Sequence, residues 1–261
     1  MKEYIVDNDS NKMRYHDLPG NDTPILFIHG LGCAGSFDYP EVAAQTDLIE
    51  HRRILIDLLG SGFSDKPDNY LYTVKEHANY LYNFVHDLKL NKFIIFAHSL
   101  GGPIALELAD RCRENIEAII LSEANLDRSS QGSSSYEFGT CQEHDFINGI
   151  FDEVVNENTI ENSMWAATLS VCSSTAISRI SKSAVAGGNP SWREILYSLN
   201  CKRTFIFGEN SLPDDDEIEL KKQMINIEVV KSAGHSMAWE NPKGLQKQLR
   251  KVFFMHGEYR I

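Results

Sequence analysis

Short runs with the pattern of buried strands alternate with longer amphipathic stretches along most of this chain. Six runs are rich in β-branched and aromatic residues; they are residues 25–28, 53–56, 93–96, 116–121, 204–207 and 227–230. Three other segments have helical periodicity, and they are residues 73–88, 100–113 and 242–254. Strand and helix in alternation predict an α/β protein, in which helices cover both faces of a mainly parallel sheet. The functional site is expected along the carboxyl edge of that sheet.

The alternation stops between residues 126 and 199, where a serine-rich start leads into helical, aromatic-bearing sequence without a convincing strand. We expect residues 126–199 to form a helical lid inserted into an α/β core of residues 1–125 and 200–261. Aromatic side chains above the strand ends predict a mainly apolar pocket from which water is excluded. Trp165 is the lid side chain that we expect to contact the substrate.

Composition restricts the class of partner. The 261 residues are 42% hydrophobic and 24% charged, which is typical of a globular domain. Asp and Glu total 37 against 25 Lys and Arg, and the resulting net charge of −12 disfavours nucleic acid and anionic membranes as partners. The sequence has no signal-peptide pattern and no run long enough to span a membrane. Five scattered cysteines without a CxxC pair predict neither a disulfide framework nor a zinc site, and they favour a cytoplasmic location.

The strongest local signal is the sequence Phe93-Ile-Ile-Phe-Ala-His-Ser-Leu-Gly-Gly102, which runs from a strand directly into a helix. Such a sharp turn needs small residues on both sides of the serine, and Ala97 and Gly101 supply them. The commonest pattern has Gly where this chain has Ala97. The turn lifts the Ser99 hydroxyl clear of the sheet at a helix N-terminus. This context predicts that Ser99 is a nucleophile.

Four motifs in this order resemble the α/β-hydrolase superfamily. They are Phe27-Ile-His-Gly-Leu-Gly32, Asp57-Leu-Leu-Gly-Ser-Gly-Phe-Ser-Asp-Lys-Pro67, the turn at Ser99, and Ala233-Gly-His-Ser-Met-Ala-Trp-Glu-Asn-Pro242. The resemblance extends along nearly the whole chain. It implies an eight-stranded, mostly parallel sheet with helices on both faces and a lid inserted after the sixth strand.

The resemblance also implies which residues would act with the serine. His235 matches the catalytic histidine, whose neutral imidazole takes the serine proton and returns it to the leaving group. The backbone N–H groups of Leu31 and Leu100 match the two donors of the oxyanion hole. His29 and His98 stand at positions that are usually structural in the superfamily, so we expect ring packing and loop hydrogen bonds from them.

The carboxylate that would orient the histidine is where this sequence departs from the commonest pattern. Ser211 stands where an Asp usually follows the seventh strand. Some haloalkane dehalogenases instead take the acid from the end of the sixth strand, and Glu123 stands there, one helix and one strand after Ser99. Glu123 is therefore the expected triad acid. Glu209 and Asp214 are the alternatives.

These features predict a serine hydrolase that cleaves an ester or related acyl bond of a small, apolar molecule through an acyl-enzyme. No metal and no organic cofactor are expected. Serine at the turn disfavours dehalogenase and epoxide hydrolase chemistry, which need a carboxylate nucleophile. The same Ser-His pair serves C–C hydrolases, lactonases and lyases, and the superfamily includes receptors with little turnover. The sequence leaves these alternatives, the substrate and the oligomeric state open.

Overall fold

A single sheet of eight strands forms the centre of the computed structural model, which describes residues 1–254. The strands are β1 (Lys2–Ile5), β2 (Lys12–Leu18), β3 (Asp22–Ile28), β4 (His51–Asp57), β5 (Phe93–His98), β6 (Ile116–Ser122), β7 (Lys202–Gly208) and β8 (Asn226–Val230). Their order across the sheet is β1-β2-β4-β3-β5-β6-β7-β8. The β1–β2 and β2–β4 pairs are antiparallel and every other pair is parallel. The expected eight-stranded, mostly parallel sheet is confirmed.

Helices lie on both faces of this sheet, as the alternation of the sequence predicts. They are α1 (Gly35–Asp38), α2 (Pro40–Ala43), α3 (Val74–Asp87), α4 (Gly101–Arg111), α5 (Ser134–Thr140), α6 (Glu143–Asp145), α7 (Phe151–Glu161), α8 (Ser163–Leu169), α9 (Ser174–Ala186), α10 (Trp192–Ser198), α11 (Asp215–Lys222), α12 (Met237–Glu240) and α13 (Pro242–Phe254). Thr73 caps α3 by accepting the N–H of Glu76 at 3.1 Å.

The alternation of side chains along β3 shows how the sheet separates two cores. Leu26 and Ile28 belong to the larger hydrophobic cluster, which includes residues of α3 and α4. Ile25 and Phe27 point to the opposite face and belong to a second cluster, which includes residues of α2 and α13. All four side chains are completely buried. A strand buried on both faces reads as a continuous apolar run, which is why the central strands are visible in the sequence.

The two antiparallel strands β1 and β2 have no such run. On β2, Met13 and Tyr15 are buried while Lys12, Arg14 and His16 are only partly covered. Apolar and polar residues therefore alternate, as expected for a strand with one face toward the core.

Residues 126–199 contain the helices α5 to α10 and connecting turns. Helix α5 packs on α9, whereas α10 packs on α4 and contributes Trp192 and Leu196 to the larger core. That residues 126–199 form an inserted lid stays a prediction, and we call these residues the lid. Within residues 1–254, the structure contains no helix with the length and apolar character needed to cross a bilayer.

Asp38, the last residue of α1, is a carboxylic acid buried beside the Cys33 thiol and is only 5% exposed. Burial raises the pKa of Asp38 to about 8, and hydrogen bonds from Cys33 and Ala34 offset this only in part. The folded protein therefore retains a proton that the unfolded chain loses near its ordinary value of 3.8.

Because the native state binds more protons in this window, the free energy of unfolding should fall as the pH rises from about 4 to about 8. In Asp38→Asn that contribution should be absent, so its stability should vary less with pH. Urea denaturation at a series of pH values measures both curves. The exposed Asp152→Asn is the matched control and should follow the wild type. Parallel curves for wild type and Asp38→Asn would show that Asp38 titrates normally in the folded state.

Candidate active site

Ser99 is the first residue after β5, and its backbone lies in the left-handed region with φ of 50°. A residue other than Gly rarely adopts this conformation, so the surrounding backbone must hold it. The Ser99 N–H donates to Ser122 O at 2.9 Å, and Ser99 O accepts the N–H of Gly102 at 2.9 Å. Gly101 is required sterically, because a Cβ there would collide with the carbonyl of His29. The turn is thus fixed by β6 on one side and by the loop after β3 on the other.

Glu123 occupies the equivalent position on the neighbouring strand. It follows β6 directly, and its φ of 47° is also left-handed. The register pairs His98 with Ser122, so Ser99 and Glu123 leave adjacent parallel strands at the same level. The next strand contributes as well, since the N–H of Gly208 at the end of β7 donates to Glu123 Oε1 at 2.7 Å.

His235 lies in the loop after β8 and faces both of these residues. Its Nε2 is 3.1 Å from Ser99 Oγ, which is hydrogen-bond distance. Its Nδ1 is 3.8 Å from Glu123 Oε2, within the range of an ion pair but longer than a hydrogen bond. The structure therefore brings together Ser99, His235 and Glu123 with the imidazole between the hydroxyl and the carboxylate, as in a Ser-His-acid triad.

The electrostatic surroundings keep the Glu123 carboxylate ionised. Burial acts to raise the pKa of Glu123, but the nearby His235 ring, the Gly208 N–H and the Ser211 hydroxyl together outweigh it and hold the pKa below its ordinary value. Ser211, which stands where the superfamily commonly has an Asp, lies in the turn after β7 and interacts with the carboxylate through its side chain.

The two alternative acids are engaged elsewhere. Glu209 Oε2 accepts the N–H of Ser232 at 2.9 Å. Asp214 caps α11 by accepting the N–H of Asp216 at 2.8 Å. Among the contacts of residues 1–254, neither carboxylate reaches the ring of His235, so Glu123 is the acidic side chain that the fold places there.

Two residues with free backbone donors lie beside the same cavity. Leu31 and Leu100 line one cavity together with Ser99. Within the described chain, the N–H groups of Leu31 and Leu100 have no hydrogen-bond partner. A pair of unpaired N–H groups beside a serine hydroxyl can bind the negative oxygen of a tetrahedral intermediate.

His29 and His98 each use a ring nitrogen to hold a loop. The Nδ1–H of His29 donates to Gly30 O at 2.8 Å, while its Nε2 accepts the N–H of Leu58 at 3.0 Å. The Nδ1–H of His98 donates to Ser122 O at 3.0 Å. Burial lowers the pKa of both imidazoles, that of His98 to about 3, so both rings are neutral at physiological pH.

The cavity above Ser99 has a volume of about 480 Å³. The lid segment contributes six side chains to it. Five of them are polar, namely Ser133, Ser134, Ser135, Asn158 and Asn162, and the sixth is Trp165. This corrects the expectation of a mainly apolar pocket. The physical reason is that the lid aromatics Phe138, Phe146 and Phe151 are buried in a hydrophobic cluster of their own.

Trp165, the expected substrate contact, does line this cavity. Its indole N–H also donates to Leu31 O at 2.9 Å, a contact that sequence reasoning did not find.

Within residues 1–254, no group of three or more His, Cys, Asp or Glu side chains is arranged to hold a metal ion.

Residues 23–181 match the model of the α/β hydrolase fold family. The chain belongs to this family. It is similar to the esterase from Thermogutta terrifontis solved with malate bound, with a TM-score of 0.79 and 18% identity, over 97% of this chain and 98% of that one. At this identity, the likeness shows a common fold.

Two curated relatives match over shorter stretches. A probable lysophospholipase of Arabidopsis thaliana, BODYGUARD 3, is 38% identical over 102 residues, which are 37% of this chain and 20% of that protein. Haloalkane dehalogenase 2 of Mycobacterium tuberculosis is 31% identical over 115 residues, which are 43% of this chain and 39% of that protein. The matches thus span about a fifth to two fifths of the length of these relatives.

Glu123→Gln should lower kcat by at least about 10²-fold without unfolding the protein. An amide cannot stabilise an imidazolium and can hold the histidine in the wrong tautomer; the corresponding change in serine proteases costs about 10⁴ in kcat. Steady-state ester hydrolysis and circular dichroism measure the two effects. Glu209→Gln and Asp214→Asn remove the same charge and should retain nearly full kcat. If Asp214→Asn or Glu209→Gln abolished turnover while Glu123→Gln stayed active, the acid would lie after β7.

Proposed function

We propose that this protein is a serine hydrolase that cleaves carboxylic esters through an acyl-enzyme on Ser99. The observation that carries the proposal is the 3.1 Å approach of His235 Nε2 to Ser99 Oγ, beside the two unpaired N–H groups of Leu31 and Leu100. A base, a nucleophile and oxyanion donors around one cavity are the parts that acyl transfer needs.

In the first half of the reaction, Ser99 Oγ attacks the ester carbonyl while its proton passes to His235 Nε2. The carbonyl oxygen becomes negative and accepts hydrogen bonds from the N–H groups of Leu31 and Leu100. Collapse of this intermediate breaks the bond to the alcohol, which leaves with the proton held by His235. The product of this half is an ester of Ser99.

In the second half, water attacks the acyl-enzyme, and His235 accepts a proton from it and returns the proton to Ser99 Oγ. Each half generates an imidazolium. The ionised Glu123 carboxylate, 3.8 Å from Nδ1, stabilises that positive charge and draws the ring toward itself.

Serine at position 99 supplies no carboxylate nucleophile, so dehalogenation is disfavoured even though a dehalogenase is among the relatives.

The cavity lining supports a neutral, hydrogen-bonding substrate. The side-chain amides of Asn125 and Asn162 line the cavity, and neither has a hydrogen-bond partner in residues 1–254. Glu123 is the one acidic side chain in the lining, and neither Lys nor Arg contributes to it. Unpaired amides without fixed charge favour hydroxyl or amide groups over hydrocarbon or ionic groups. A small ester with such groups fits this lining better than the purely apolar substrate expected from the sequence.

The proposed partner is therefore a small molecule, and the net charge of −12 gives no support to nucleic acid binding. We further propose a cytoplasmic location, which the five free cysteines support, three of them buried.

A fluorophosphonate should label wild-type protein at Ser99 and leave Ser99→Ala unlabelled, since only an activated serine reacts. Hydrolysis of 4-nitrophenyl acetate should fall in Ser99→Ala to the background rate. Peptide mass spectrometry locates the label, and absorbance follows the hydrolysis. Equal labelling of both proteins would refute the assignment of Ser99. Absence of both labelling and hydrolysis in the wild type would favour a ligand-binding role.

The polarity of the substrate is tested with acetate esters of similar size that differ in the alcohol. The wild type should prefer glycerol monoacetate over butyl acetate, because the hydroxyls can pair with the free amides. Asn162→Leu should lower kcat/KM for the glycerol ester by about fivefold, the net value of one hydrogen bond, and leave the butyl ester nearly unchanged. Asn156→Leu, on the exposed side of α7, is the matched control and should change neither value. A wild-type preference for butyl acetate would contradict a polar substrate.

A further inference from the structure

Three consecutive residues of the loop after β3, Leu31, Gly32 and Cys33, turn their carbonyl groups toward the segment 163–172. Trp165 Nε1–H donates to Leu31 O at 2.9 Å, and the hydroxyl of Thr168 lies 2.8 Å from Gly32 O. The Cys172 thiol makes a weaker contact of 3.9 Å with Cys33 O. We propose that α8 aligns the oxyanion hole. Trp165 and Thr168 are positioning residues that hold the loop so that the Leu31 N–H faces Ser99. This inference rests on the proposed function.

Peptide geometry explains why these contacts control the Leu31 N–H. A trans peptide is planar, so the N–H of Leu31 points opposite to the carbonyl of Gly30. That carbonyl is held from the core side by His29 Nδ1–H at 2.8 Å and by the N–H of Cys33 at 3.3 Å. The carbonyl of Leu31 itself is held from the lid side by Trp165. Both peptides that flank Leu31 are therefore fixed, one by the core and one by α8.

Steric contact adds to the hydrogen bonds. Gly32 has a left-handed φ of 69°. A Cβ at Gly32 would lie 2.8 Å from Leu169 Cδ1 and 2.9 Å from Trp165 Nε1, so α8 rests directly on the loop backbone. On its other side the indole ring of Trp165 stacks parallel to Phe138, with ring centroids 6.5 Å apart. The indole N–H is thus held in place between the lid cluster and the loop.

Thr168 is buried, and its hydroxyl has two acceptors within reach. Gly32 O is at 2.8 Å and Trp165 O is at 3.0 Å, so the single hydroxyl hydrogen links the loop to the helix that carries Trp165. The consequence is a lid whose position sets the direction of an oxyanion donor. Substrate that seats the lid would at the same time complete the site for its own transition state.

The experiment compares Trp165→Phe with Trp192→Phe. Phenylalanine keeps an aromatic ring and removes the N–H, which in Trp165 binds Leu31 O and in Trp192 has no hydrogen-bond partner within residues 1–254. Both variants are assayed for kcat and KM on an ester that the wild type hydrolyses. Two inhibition constants are measured alongside. One is for a trifluoromethyl ketone, whose serine adduct carries an oxyanion, and the other is for the product alcohol.

For Trp165→Phe we expect kcat to fall about tenfold, less than the 10²–10³ typical for loss of an oxyanion donor, because the N–H is displaced rather than removed. The inhibition constant of the trifluoromethyl ketone should rise by the same factor, while KM and alcohol inhibition stay within twofold. Trp192→Phe should leave all four values within twofold. Equal effects of the two variants, or a change in KM alone, would overturn the proposal. The hydrolase function itself is tested separately, by turnover of the wild type.

A second pair keeps the test valid if Trp165→Phe fails to fold. Thr168→Val removes the hydroxyl at almost constant volume, and Thr168→Ser retains it. Thr168→Val should lose several-fold in kcat and in affinity for the trifluoromethyl ketone, and Thr168→Ser should recover most of both. Equal activity of Thr168→Val and Thr168→Ser would contradict the role of the hydroxyl.

Discussion

The parallel pairing of β5 with β6 is the constraint on which the rest of the site depends. Because His98 pairs with Ser122, the next residues, Ser99 and Glu123, emerge side by side from the carboxyl edge of the sheet. Both have left-handed backbones, so each chain turns away sharply as soon as its strand ends. The positions of Ser99 and Glu123 are therefore set by main-chain hydrogen bonds of the sheet. Only His235, on a loop, must be brought to them, and it lies between the two side chains.

The surrounding loops complete this arrangement by close packing at two glycines. Gly101 allows the turn at Ser99 to press against the His29 carbonyl, and Gly32 allows α8 to press against the loop after β3. A Cβ at Gly101 would collide with the backbone of His29, and a Cβ at Gly32 would collide with the side chains of Leu169 and Trp165. The unpaired N–H groups of Leu31 and Leu100 thereby lie beside the cavity that Ser99 lines, on backbone that close packing holds in place.

The parts of the fold that depend on local pattern could be predicted, and those that depend on tertiary packing could not. The central strands and α3, α4 and α13 have continuous or periodic apolar patterns, and Glu123 follows from Ser99 because β5 and β6 are consecutive and adjacent. Strand β2 was not among the predicted strands, because its buried residues alternate with partly covered ones and do not form a continuous apolar run. The polar cavity was missed because lid aromatics such as Phe146 bury themselves within the lid. No local signal links Trp165 to Leu31, whose contact joins segments 134 residues apart.

The central claim is that Ser99, His235 and Glu123 act together as nucleophile, base and orienting carboxylate beside the Leu31 and Leu100 donors. A crystal structure of the adduct with a trifluoromethyl ketone tests it most directly, because the adduct reproduces the charges of the tetrahedral intermediate. We predict a covalent bond to Ser99 Oγ, an oxyanion bound by the N–H groups of Leu31 and Leu100, and a Glu123 to His235 Nδ1 distance shortened from 3.8 Å to hydrogen-bond length. An adduct whose oxyanion points to solvent, or a histidine that turns to another carboxylate, would contradict the account.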